Sequence, residues 1–203
     1  MQLYNYMEII PLLTIKNRVI QINKDLLLSL KELTETVDKD ANIYFIDVDG
    51  LEQNKPNFCT YQRLSSAYKL WVDFGPRSTG DVVDVVIAGA QNVIIRKKMF
   101  KYGDIQTIKN MIDNPLYEHL EIDKNKDLYA IQTSPEINGI IIQSKDQNAS
   151  VKSNNEYIVN NMIKKHPIVL IEPDEKNFSY WENKGITSII TDFITWKKVK
   201  KID

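Results

Sequence analysis

Short apolar runs alternate with amphipathic stretches along the chain. The first run, residues 8–14 (EIIPLLT), leads through a tight turn at Lys16 and Asn17 into a second short strand at 18–22; asparagine tolerates the positive φ such turns use. Leu26, Leu30, Leu33 and Val37 then recur at three- and four-residue steps and predict a helix, with Asn23 as its N-cap. A second strand is expected over 43–49 (IYFIDVD), a helix over 58–68, and a third strand over 70–74 (LWVDF) that breaks at Gly75-Pro76. Ser78 or Thr79 can cap the next helix and Gly89 can end it. That helix is rich in valine, a poor helix former, so Val82, Val85 and Val86 must pack on a sheet to hold it.

The alternation continues with a fourth strand over 92–96 and a helix over 104–112 carrying Ile105, Ile108 and Ile112. A fifth strand is expected over 128–133 (LYAIQT) and a sixth over 140–143, with no room for a helix between them. Ser153 and Glu156 have capping-box spacing for a helix over 154–165. A seventh strand over 167–172, a short helix over 175–184 burying Phe178 and Trp181, an eighth strand over 187–192 and a basic helical tail complete the chain. Near-continuous apolar strands such as VII, III and IVLI signal a parallel sheet covered on both faces. Eight of them predict an α/β fold, a reduced (β/α)8 TIM barrel with a missing or shortened helix between the fifth and sixth strands; the open doubly wound sheet is the alternative.

At 203 residues the chain reads as one domain (1–203), short against the roughly 250 residues usual for this barrel. A net charge of -1 supplies no bulk attraction for nucleic acid or an anionic membrane, so neither is expected as a partner. The single cysteine, Cys59, excludes an internal disulfide and a polythiolate zinc site, and reads as a small core residue; a cytoplasmic location fits. His119 and His166 lie far apart and read as surface or packing residues, and the three tryptophans read as packing residues. No P-loop, G-x-G-x-x-G, H-E-x-x-H or G-x-S-x-G motif is present, and no cofactor is expected.

Most of the strands turn polar at their C-terminal ends: Asp47 and Asp49, Asp73, Arg96, Gln132, Gln143, Glu172 and Asp192. In a barrel that end is where chemistry sits. If Ile46 and Val48 face the helices, Asp47 and Asp49 face the interior, and Asp73 points inward beside Val72. Asp49, Asp73 and Asp47 are therefore the candidate catalytic residues, as acid and base; the alternative is a polar rim that simply meets solvent. No metal is assigned, although a Mg2+-dependent barrel using Asp47, Asp49, Glu172 and Asp192 is a third option. The turn DFGPRSTGD offers Gly75, Arg77 and Ser78 as a phosphate site at a helix start; the alternative is a capped helix with Arg77 paired to a nearby acceptor. The run Arg96-Lys97-Lys98 reads as a solvated loop.

The order EIIPLLTIKNRVIQI, IYFIDVDG and WVDFGPRSTGDVVDVVIAGAQNVIIRK resembles the first half of the histidine-biosynthesis barrels, the HisA/HisF family. The resemblance covers residues 8–97 and implies a (β/α)8 barrel with two phosphate sites, using aspartates on the first and fifth strands for a metal-free sugar rearrangement. Here Thr14 stands at the first of those positions, and Gln132 and Thr133 close the expected fifth strand. Whether the chain is an enzyme is thus left open by the resemblance. It implies a divergent member binding a small phosphorylated metabolite of phosphosugar or ribotide type, as an isomerase- or lyase-type enzyme. The alternative is a non-catalytic relative that binds a metabolite or a protein and keeps the scaffold. A monomer or homodimer is expected.

Overall fold

The computed structural model describes residues 7–101, 104–122, 133–146 and 150–201. Its strands and helices follow in the order β1 (Glu8–Lys16), β2 (Val19–Gln21), β3 (Leu27–Leu28), α1 (Leu30–Thr36), β4 (Asn42–Asp47), α2 (Val48–Gln53), α3 (Phe58–Leu64), β5 (Lys69–Asp73), α4 (Thr79–Ile87) and β6 (Ala90–Ile95). Then come α5 (Ile105–Met111), β7 (Leu116–Ile122), β8 (Gly139–Ser144), α6 (Val151–Met162), β9 (Ile168–Ile171), a 3-10 turn at Glu175–Asn177, α7 (Phe178–Asn183), β10 (Ser188–Asp192) and α8 (Phe193–Lys200).

Eight strands, β1, β4, β5, β6, β7, β8, β9 and β10, pair parallel in that order, and β10 pairs back with β1 to close the barrel. The TIM-barrel reading of the sequence holds, and closure rules out the open sheet. Antiparallel β2 and β3 extend from β1 as a small hairpin.

The barrel has two apolar layers. Strand residues of one parity, among them Phe45, Val72, Val93, Leu170 and Ile189, pack under the helices. Those of the other parity fill the lumen, with Ile10, Tyr44, Trp71, Ile94, Ile141, Val169, Ile171 and Ile190 in one cluster and Leu12, Ile46 and Tyr117 against it. Seven strands contribute to that cluster and β7 adds Tyr117 against it, as a filled barrel interior requires. At its N-terminal end the Trp71 and Tyr117 rings lie 4.4 Å apart, and a Cβ on Gly139 would come within 2.9 Å of the Tyr117 ring. Val82 and Val85 of α4 are fully buried. Burial worth about 1.5–3 kcal/mol each outweighs the roughly half-kcal helix penalty of valine.

Several sequence expectations shift. The first helix starts at Ser29, not near Asn23: Ser29 and Glu32 form a reciprocal capping box, and Leu26 is exposed. The helix expected over 154–165 also starts earlier, since α6 begins at Val151 and Ser153 falls inside it. The strand expected over 128–133 lies, apart from Thr133, outside the described residues. The fifth place in the barrel belongs to β7, a strand the polar residues 118, 119 and 121 conceal; it pairs with β6 and with β8. Between β7 and β8 the described residues, 133–138, form a turn without a helix. Cys59 is exposed on α3 rather than in the core.

Candidate functional site at the barrel mouth

Asp73 ends β5 with its side chain in the lumen and no exposed surface. Arg96, one residue past β6, clamps it: Nε donates to both carboxylate oxygens at 2.9 and 3.1 Å, and a terminal nitrogen donates at 2.7 Å. Tyr44, one layer deeper, donates its hydroxyl to the same carboxylate at 3.0 Å. The other terminal nitrogen of Arg96 reaches Glu121 of β7 at 3.0 Å. Burial works against the Arg96 charge, and the Asp73 carboxylate more than offsets it, so the guanidinium is held above its ordinary range. Burial, with Asp73 beside it, pushes the Tyr44 phenol well up, which keeps it a hydroxyl donor.

His119 sits on the lumen side of β7, with Nε2 3.1 Å from the Gln143 side-chain oxygen on β8. Burial, reinforced by the Arg96 charge, lowers its pKa to about 4, so the imidazole is neutral at pH 7. A depressed histidine pKa favours protonation in the unfolded chain. Its contribution is therefore complete above pH 6.5 and is lost as pH falls towards 4, by about 3 kcal/mol in all. We expect urea titrations of wild type and His119→Gln between pH 7 and 4 to differ in slope, with stability of the variant falling less.

The lumen floor beneath these groups is apolar. Leu12, Thr14 and Ile46 keep partial exposure around it. An apolar floor with a few fixed polar groups on one wall is the common composition of small-molecule sites. Arg96, expected in a solvated loop, thus belongs to the mouth, together with Glu121, His119 and Tyr44, for which the sequence suggests no such role. The signal for Arg96 was its phase, two residues beyond lumen-facing Ile94.

Asp47, Asp49 and Glu172 are not brought to this mouth. Strand β4 runs in the opposite phase to the expected one: Ile46 faces the lumen and Asp47 faces the helix layer. Asp47 is fully buried and accepts hydrogen bonds from Gly50 N–H, from the Asn57 backbone and side-chain amides, and from Tyr61. It caps α2. Asp49 lies in the first turn of α2 and accepts from Asn17 N–H and the Asn57 amide. Glu172 is buried on the helix side, bound by Ser150, Trp181 and the Asp174 backbone. Asp192 caps α8. Each satisfies local donors, and among the described residues no group of three or more His, Cys, Asp or Glu is placed to hold a metal ion.

At the turn after β5, Gly75 has φ +67° and packs against Met99 and Leu51, where a Cβ would clash at 2.7–2.8 Å. Arg77 turns its guanidinium onto the carbonyls of Gly50, Leu51 and Gly75 and the side chain of Asn54. Asp81 accepts from the backbone N–H of both Arg77 and Ser78. The N–H groups offered to a phosphate in the sequence reading are therefore spent on a carboxylate of the chain. This is the capped-helix alternative. Ser78→Ala is expected to cost about 1 kcal/mol by urea denaturation, with no dependence on added phosphate.

No family model matches the chain, and no curated protein matches it. Among solved structures, three of Yersinia pestis dihydropteroate synthase match at TM-score 0.54. One is a complex with a sulfonamide drug and one carries a pterine-sulfa conjugate. Identity is 9–10%, over 93–94% of this chain and 88–90% of theirs. At that identity the likeness establishes the TIM-barrel fold and nothing finer. These neighbours come from a barrel family other than HisA/HisF, and the HisA/HisF resemblance is supported only as far as the fold. Among the described residues no helix is long and apolar enough to cross a membrane.

Proposed function

We propose that this barrel binds a small metabolite in its C-terminal mouth, with Arg96 fixing an anionic or carbonyl oxygen edge of the ligand. The observation that carries this reading is the bidentate hold of Asp73 on Arg96. It fixes the guanidinium beside the partly open lumen floor before any ligand arrives, and such preorganisation reduces the ordering cost of binding. Three of the five guanidinium N–H groups point to Asp73 and Glu121, which among the described residues leaves two for a ligand. Neutral His119 and Gln143 add hydrogen-bonding capacity. The reading is one of recognition, because proton transfer needs a group that titrates near the working pH and His119 does not.

A phosphorylated metabolite, as the HisA/HisF resemblance implies, would set its oxygens on Arg96, since Arg77 is turned onto α2. A planar heterocycle of the kind bound by the dihydropteroate synthase neighbours would lie on the apolar floor with an acceptor towards Arg96. Thermal unfolding with ribose 5-phosphate, pterin or a sulfonamide tests this. At a hundredfold excess over Kd, one of these should raise Tm by about 5–10 °C in the wild type and not in Arg96→Lys. A shift retained in Arg96→Lys, or no shift with any of the three, overturns the proposal.

A further inference from the structure

A second cleft opens on the rim, between the β1–β2 turn and the loop joining α2 to α3, with a volume of about 480 Å³. That lies within the range of about 300–1,000 Å³ common for small-ligand pockets. Asn17, Arg18, Asp49, Lys55, Pro56 and Phe58 are among the residues that line it.

Two features of the cleft call for a ligand of mixed charge. Asp49 is more than nine-tenths buried, yet only Oδ2 is bonded, to Asn17 N–H and the Asn57 amide. Its Oδ1 has no hydrogen-bond partner among the described residues, and no cation of the chain pairs with it there. That oxygen is not sealed from solvent, so it opens to the cleft and can accept from an incoming donor, best a charged one. Arg18 and Lys55 line the same cleft, and neither side chain has an ion pair or hydrogen bond among the described residues. Arg18 is also held in the left-handed region at φ 66°, with its N–H tied to the Asn57 side chain at 3.0 Å. The turn thus fixes where this cation starts. Phe58 and Pro56 supply an apolar wall.

We infer that the cleft binds a small zwitterion of the α-amino acid class: its ammonium on Asp49, its carboxylate on Arg18 and Lys55, and an apolar side chain against Phe58 and Pro56. A simple anion would meet the Asp49 charge at the base, and a simple amine would leave both rim cations unmatched. The site is separate from the Arg96 mouth and stands or falls independently of it.

Cys59 lines the cleft, is exposed and is the chain's single cysteine, so its alkylation by iodoacetamide reports occupancy. L-leucine or L-phenylalanine at millimolar concentration should slow alkylation several-fold, while 4-methylpentanoate, isoamylamine and inorganic phosphate should not. Asp49→Asn keeps an oxygen for Asn17 N–H, and Lys55→Met changes only an exposed side chain, so both should fold. Each should raise the half-protective amino acid concentration about tenfold or more. Equal protection by 4-methylpentanoate or phosphate, undiminished protection in Asp49→Asn, or no protection by either amino acid overturns the inference.

Discussion

Replacing Arg96 with methionine should lower the stability of the fold by about 3–5 kcal/mol, read as a fall in the urea midpoint. The magnitude follows from what remains. Asp73 has no exposed surface, and without the guanidinium its charge keeps one donor, the Tyr44 hydroxyl. Glu121 is different: its side chain is 42% exposed, so losing Arg96 costs it little. Removing the whole buried set should be far milder than breaking it. In Asp73→Leu/Arg96→Met, with Tyr44→Phe to remove the stranded hydroxyl, most of the loss should be recovered, because apolar replacement of a buried pair is often neutral or better. Ligand binding should not return with stability. A single Arg96→Met that costs less than about 1 kcal/mol would mean that water, not Asp73, satisfies the guanidinium.

The second large effect is expected at Asp47, a catalytic candidate on sequence grounds. Asp47→Ala removes the acceptor for two backbone N–H groups, an amide and the Tyr61 hydroxyl, all in a buried setting. Stranded buried donors cost about 1–3 kcal/mol each, so the loss should reach at least 3 kcal/mol after relaxation. Tyr61→Phe removes one donor along with its need and should cost about 1 kcal/mol. The pair separates a structural carboxylate from a reactive one. A catalytic aspartate held at the expense of the fold would leave stability unchanged or raised on replacement. Here denaturation should show a steep loss for Asp47→Ala.

The barrel was legible in the chain because its parallel strands are apolar on both faces, so IVLI and III read as strands without knowledge of their neighbours. The same property hid the phase of β4. Residues 43–46 are apolar at every position, and alternation alone cannot tell which face Asp47 takes. The structure resolves it through Tyr44, whose ring fills the lumen and whose hydroxyl reaches Asp73. Strand β7 was missed for the opposite reason. It carries Glu118, His119 and Glu121, a polar content that argues against a buried strand. Those groups are tolerated because Glu118 meets Lys97, Glu121 meets Arg96 and His119 is neutral. The lumen side expected for Asp73 follows from alternation beside helix-facing Val72, and β5 keeps that phase. The partner of Asp73 was not legible, since an arginine followed by two lysines reads as a solvated loop until β5 and β6 are set side by side.

The proposed ligand site depends on Arg96 being locked onto Asp73 in the mouth. The chain has four arginines, and among the described residues only Arg96 donates its Nε–H to a carboxylate. A 1H–15N spectrum of the arginine Nε–H groups at pH 7.5 tests this directly. It should show one resonance displaced downfield and slow to exchange, lost in Arg96→Lys and returned to the exposed-arginine position in Asp73→Asn. Four arginine signals with ordinary shifts and fast exchange would contradict the account.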